Sequence, residues 1–204
     1  MTDTDRDDAQ DGPEPLQVAV TGTPGTGKST ATERLADRVD AGEFEADGLA
    51  AGTVEVVHLN DVVEREELYD DVDEERDSVV VDLDALAAWV DDRVDATDAD
   101  IVVLDSHLAH HLTVDRVVVL RCHPEELEGR LRDRGENDAK ATENAESEAL
   151  DVVLGESVDA HGTETVYEIE TTNDPPDAVA DAIAAVVVGE REPSAGTVDY
   201  IEYL

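Results

Sequence analysis

The chain has 204 residues, enough for one domain with a sizeable core. Aspartate and glutamate number 54 against 14 lysines and arginines, a formal charge of −40, so a broad basic face for nucleic acid is excluded. The single cysteine, Cys122, excludes an intrachain disulfide and a multi-cysteine zinc centre, and reads as a buried thiol at a strand end.

Acidic chains with few aromatics are often disordered. Here 40% of residues are hydrophobic, gathered in runs such as IVVLD and RVVVLRC, which predicts a folded domain under an acidic coat. Such a coat repels itself unless salt screens it, and at about 1 M salt the Debye length is only about 3 Å. The composition resembles that of proteins from halophiles that accumulate salt in the cytoplasm.

Residues 1–15 read as a disordered acidic arm without the apolar core of a signal peptide. No apolar run approaches a membrane span, and the expected location is cytoplasmic. LQVAV (16–20) suits a buried parallel strand. A helix is expected from Lys28 to about Val39, with Leu35, Ala36 and Val39 inward, and residues 41–52 read as a loop or insertion. VEVVH (54–58) is a second strand. Asn60 or Asp61 is placed to cap a short helix through VVEREEL, and Asp84 precedes the helical pattern Leu86, Val90, Val94. IVVLD (101–105) and RVVVLRC (116–122) are the third and fourth strands. Pro124 suits the first turn of a helix ending near Arg134. A further helix is expected over 142–158, a fifth strand over 166–170, and a last helix after Pro175 and Pro176. The tail from Gly189 carries Tyr200 and Tyr203, which either pack back on the body or bind a partner. Strands alternate with helices, which predicts an α/β fold with a five-stranded parallel sheet flanked by helices.

GTPGTGKS, Gly22 to Ser29, matches the phosphate-loop pattern G-x-x-x-x-G-K-[ST], with a strand before it and a helix after. Glycines at 22, 25 and 27 let the backbone curl so that successive N–H groups face phosphate oxygens. The nucleotide-binding residues are then Gly25, Thr26, Gly27, Lys28, Ser29 and Thr30. Lys28 reaches the β- and γ-phosphates of ATP, Ser29 offers a hydroxyl to Mg²⁺, and Thr30 contacts the α-phosphate. Only two lysines occur in the chain, and Lys28 is one of them.

Asp105 ends the third strand, at the carboxyl edge of the sheet where ligands bind, and is a candidate Mg²⁺ ligand, directly or through water. The other reading is a turn or helix-cap residue. His107, two residues on, is placed to face the same crevice. Metal binding by HLAHH lacks an acidic or cysteine partner pattern in the sequence. Arg130, Arg132 and Arg134 alternate in GRLRDRG. Guanidinium groups suit the charge of phosphoryl transfer, and ordinary pairing with Glu125, Glu126 and Glu128 is the competing reading.

GTPGTGKST, HLNDVVEREELYDDVDEERDSVVVD, VVLDSH and GRLRDRGEND followed by KATEN, in this order over about residues 16–175, resemble one family. It is the adenylate-kinase-like ATPases of archaea and eukaryotic nuclei, the coilin-interacting type that acts in small-subunit ribosome maturation. The resemblance implies a P-loop nucleoside monophosphate kinase fold over 16–188, with a monophosphate-binding segment near 57–83, a short lid near 133–143 and a C-terminal tail over 189–204. It implies AMP as acceptor, ATP hydrolysis as a second activity, and transient binding of ribosomal protein uS11 and small-subunit precursors. Arg134 takes the lid arginine's place, and Asp105 and His107 match the family's D-x-H. Glu136 stands where the family carries an aromatic residue, and Arg65 and Arg76 are the candidate monophosphate-side arginines.

Overall fold

Strand β1 (Leu16–Thr21) alternates its side chains between two cores, Val18 and Val20 to one side and Ala19 to the other. The same alternation, the period of two expected of a strand covered on both faces, runs through β5 (Ile101–Asp105), β6 (Arg116–Arg121) and β7 (Val166–Glu170). With β2 (Val54–His58) they form a parallel sheet in the order β2-β5-β1-β6-β7. The computed structural model describes residues 14–41, 54–73 and 78–204. Residues 1–13, most of the expected insertion, and Arg76 lie outside the described residues.

Helices α1 (Lys28–Asp40) and α7 (Pro176–Val187) cover one face through Leu35, Val179, Ile183 and Val186. Arg38 pairs with Asp181 across them. The opposite face carries α2 (Leu59–Glu66), α3 (Leu83–Ala96) and α6 (Val152–His161), with Val62, Leu86, Val90 and Leu154 against Val102, Leu104 and Val117. A third, smaller core lies under α4 (Pro124–Asp133) and α5 (Asp138–Ala149), where Leu127 and Leu131 meet Ala141, Ala145 and Cys122. The five expected strands and the helix opened by Pro124 stand where the pattern put them. No described helix is long and apolar enough to cross a membrane.

Four local expectations are corrected, and one element appears that the sequence reading did not include. Helix α2 begins at Leu59 after His58, and neither Asn60 nor Asp61 caps it; Asn60 Oδ1 instead accepts a hydrogen bond from Ser106 Oγ at 2.9 Å. Asp82, not Asp84, caps α3, accepting from the Ala85 amide at 2.9 Å. The segment 69–81 holds an antiparallel hairpin, β3 (Tyr69–Asp73) and β4 (Ser78–Val81), that the acidic sequence concealed. The helix expected over 142–158 is two helices, because Asp151 adopts a left-handed conformation (φ 54°) and its carboxylate turns in to pair with Arg121. On α1, Leu35 is buried, whereas Ala36 and Val39 are only half-buried.

The tail folds back onto the body. Glu168 Oε2 accepts from the Thr197 amide at 2.6 Å, Tyr200 is buried with its ring over Arg121, and Tyr203 packs on the core under α4 and α5.

Candidate active site

The loop between β1 and α1 is shaped by glycine where it must be. Gly22 has φ +138°, and a Cβ there would stand 2.5 Å from the Leu120 carbonyl oxygen. Gly27, in the left-handed region (φ +92°), turns the chain into α1, whose first turn carries no acidic side chain to cancel its positive end. Lys28 is buried, and its Nζ donates to the carbonyls of Gly22 at 2.8 Å and Thr23 at 3.1 Å. Burial lowers its pKa to about 8, with Asp105 and Glu148 opposing the shift. Ser29 and Thr30 are exposed at the mouth of the loop.

Parallel registry places Asp105 beside Val20 on one side and His58 on the other. Asp105 is buried, and its Oδ2 accepts from Thr32 Oγ1 at 3.1 Å and meets His58 Nδ1 at 2.9 Å. Its Oδ1 is buried without a hydrogen-bond partner. An unsatisfied carboxylate oxygen in a phosphate loop's neighbourhood, with the Ser29 hydroxyl as a second hard donor, fits a cation of the Mg²⁺ kind. His107 is exposed along the cleft wall that also carries Lys28, Ser29, Asn60, Arg134 and Glu136. The concave surroundings strip water from its ring and Lys28 adds positive charge, so its pKa is lowered to about 4 and the ring is neutral at ordinary pH.

Helix α4 brings up the arginines. Arg134 is its C-cap, followed by Gly135 at φ +92°. Arg130 Nη2 donates to the carbonyls of Thr171 and Thr172 at 3.1 and 2.9 Å while its Nε meets Glu126. Arg132 pairs with Glu128 and Asp138. Ordinary ion pairing therefore accounts for Arg132, whereas Arg134 pairs with no carboxylate among the described residues and lines both halves of the cleft.

Two comparisons with known sequences meet at this site. A family model described as "AAA domain" matches residues 18–151, from β1 through the break after α5. Curated relatives called "Putative adenylate kinase" are 53% identical over 93% of this chain and 100% of theirs in Natronomonas pharaonis and Halobacterium salinarum, and 34% identical over 92% and 94% in Methanocaldococcus jannaschii. The chain belongs to this adenylate-kinase-like P-loop family. Solved structures show the same fold. A shikimate kinase from Bacteroides thetaiotaomicron has TM-score 0.52 at 16% identity, covering 82% of this chain and 95% of its own. TT1252 from Thermus thermophilus has TM-score 0.54 at 18% identity, covering 87% and 99%.

As a kinase-type member of the adenylate-kinase-like family, the chain has a cleft in two parts. One is the phosphate side just described. The other is a slot beside Thr30 whose lining includes Arg130, Arg134, Thr171 and Asp174 together with Pro176 and Val179, so that cations and an apolar patch meet in it. Arg65 lies elsewhere. It pairs with Glu66, sits 6.0 Å from the Trp89 ring, and lines a separate hollow at the β2 edge. Four supporting residues escaped the sequence reading. Glu148 accepts from Thr23 Oγ1 at 2.5 Å and from Arg121 Nε at 2.7 Å. Thr32 and His58 hold Asp105, and Thr171 Oγ1 lies 2.9 Å from the Thr26 carbonyl. His58 opens the block HLNDVVEREEL but had no role assigned to it, and Thr32, Glu148 and Thr171 stand in no motif.

Proposed function

We propose that the protein is an adenylate kinase, converting ATP and AMP into two ADP, that also hydrolyses ATP. The observation that carries this reading is the one cleft shared by Lys28, Ser29, His107 and Arg134, with the unsatisfied Oδ1 of Asp105 beside it. The adenine of ATP lies in the slot lined by Arg134, Pro176 and Val179, and its phosphates lie along Gly25, Thr26, Gly27, Lys28, Ser29 and Thr30. Ser29 and Asp105 hold Mg²⁺, which when bound neutralises phosphate charge. An AMP phosphate oxygen attacks the γ-phosphorus, the bond to the β-phosphate oxygen breaks, and ADP leaves on both sides. The attacking oxygen is already anionic, so positioning and charge neutralisation by Lys28 and Arg134 supply most of the rate. In hydrolysis a water takes the place of AMP, and neutral His107 with Asp105 orients it. Residues 57–83, which hold α2 and the β3–β4 hairpin, form the monophosphate-binding segment, and 133–143 form a short lid.

A second reading, favoured by the charge, is an assembly factor whose ATP hydrolysis times release of a basic partner. A chain of −40 suits a basic protein such as uS11 in small-subunit rRNA maturation better than RNA itself. The experiment is a turnover assay at molar KCl with ATP and a panel of monophosphates, shikimate and gluconate, with and without purified uS11. ADP formation with AMP is expected. No transfer to AMP, with hydrolysis stimulated by uS11, supports the second reading, and transfer to a small hydroxy acid overturns both. Lys28→Ala lowers both activities by about a thousandfold, and His107→Ala slows hydrolysis by about a hundredfold while transfer falls far less. Equal loss of the two activities in the His107 variant removes its separate role.

A further inference from the structure

Among the described residues, His110, His111 and Glu156 bring their ligand atoms within 4.8 Å of one another. The histidines lie on the short 3₁₀ turn Ala109–His111 after β5, and Glu156 lies on α6. His110 is 1% exposed. The Thr21 hydroxyl lies 2.9 Å from His110 Nδ1 and 3.2 Å from the His107 carbonyl, and His110 Nε2 lies 3.1 Å from Glu156 Oε2. A neutral ring protonated on Nε2 donates to Glu156, whereas the tautomer protonated on Nδ1 donates to Thr21 and frees the Nε2 lone pair for a cation beside the carboxylate. The ring of His111 lies 4.1 Å from that of His110, so a second imidazole stands at the same point.

We propose that His110 Nε2, His111 and the Glu156 carboxylate bind Zn²⁺, with a fourth position open to water. Two nitrogens and one carboxylate form a donor set that zinc accepts at about 2.0–2.2 Å. The Thr21 contact to Nδ1 is the outer hydrogen bond that orients a ligating imidazole. His111 and Glu156 are exposed, which leaves an entry path from solvent. His161 Nε2–H donates to the His110 carbonyl at 2.7 Å, anchoring the turn to the end of α6. The ion staples the segment that carries His107 to α6, behind the phosphate loop and apart from the oxygen donors of the cleft.

The test is calorimetric titration of the full chain with ZnCl₂, without nucleotide, in about 1 M KCl and excess Mg²⁺, which screens and fills sites made of carboxylates alone. One equivalent is expected at micromolar affinity or tighter. Glu156→Gln and His111→Ala each weaken it by about tenfold or more, with unchanged circular dichroism, whereas Ser29→Ala leaves it unchanged. Co²⁺ gives the visible bands of a four-coordinate centre, and these disappear in both variants. Wild-type binding no tighter than millimolar overturns the proposal and leaves a plain His110–Glu156 ion pair. Stoichiometric binding that both variants retain also overturns it.

Discussion

Glu148 ties the phosphate loop to the sheet with one carboxylate. It accepts from Thr23 in the loop, from Arg121 at the end of β6, and from the Cys122 amide at 3.1 Å. Arg121 is itself buried among Glu148, Asp151 and Glu168. Removing one member of such a group leaves charge without its partner, so Glu148→Ala is expected to cost about 3–5 kcal/mol in denaturant unfolding and to weaken ATP binding. A stability within 1 kcal/mol of wild type on that substitution contradicts the account. Nothing in the sequence marked Glu148, because it is one acid among 54 and its role depends on a strand 27 residues earlier in the chain. Lys28 and Asp105 were legible because their spacing from strand ends is local. Cys122 was legible as buried, and burial raises its pKa to about 11, with Arg130 pulling it down and Glu148 pushing it up. A raised thiol pKa means less thiolate at a given pH. Cys122 is also fully buried, so at pH 8 it is expected to react with a maleimide more than about a hundredfold slower than an ordinary thiol, and to regain the ordinary rate when the protein is unfolded in denaturant.

The elements show what a pattern of polarity can and cannot reveal. Buried strands flanked by turn residues were read directly, since VVLD and VVVL have few alternatives at that length. The β3–β4 hairpin was hidden because Asp70, Asp71 and Asp73 break the apolar alternation that announces a strand. The break between α5 and α6 was hidden for a different reason. Alanine and glutamate favour helix up to Ala149, no glycine or proline marks a stop there, and the pull of Arg121 on Asp151 makes a left-handed residue worthwhile. The tail is an element without regular structure until its last turn, yet Tyr200 bonds Glu170 at 3.2 Å and lies edge-on to His123 at 5.4 Å. Tyr200→Ala should therefore cost about 2–4 kcal/mol of stability, measured by chemical denaturation. A tail serving as a detached binding peptide would leave stability unchanged on the same substitution.

At the scale of the whole molecule, charge dominates. A −40 surface wrapped around close-packed cores is held together against its own field, and added salt relaxes that field. The melting temperature is expected to rise between low and molar KCl, and Cys122 labelling is expected to speed up as KCl is withdrawn and the core under α4 opens. A melting temperature flat in salt, with labelling equally slow throughout, contradicts this. The same composition leaves only two lysine side chains, with very different surroundings. Lys28 is shielded inside the phosphate loop, whereas Lys140 is half-exposed on the first turn of α5, 3.3 Å from Glu136. Of the two, Lys140 is the more open to an amine-reactive reagent, and bound ATP is expected to shield Lys28 further, because Lys28 lines the cleft. Peptide mapping of the labelled protein with and without ATP would therefore read occupancy of that cleft from a single amine, with no substitution in the chain.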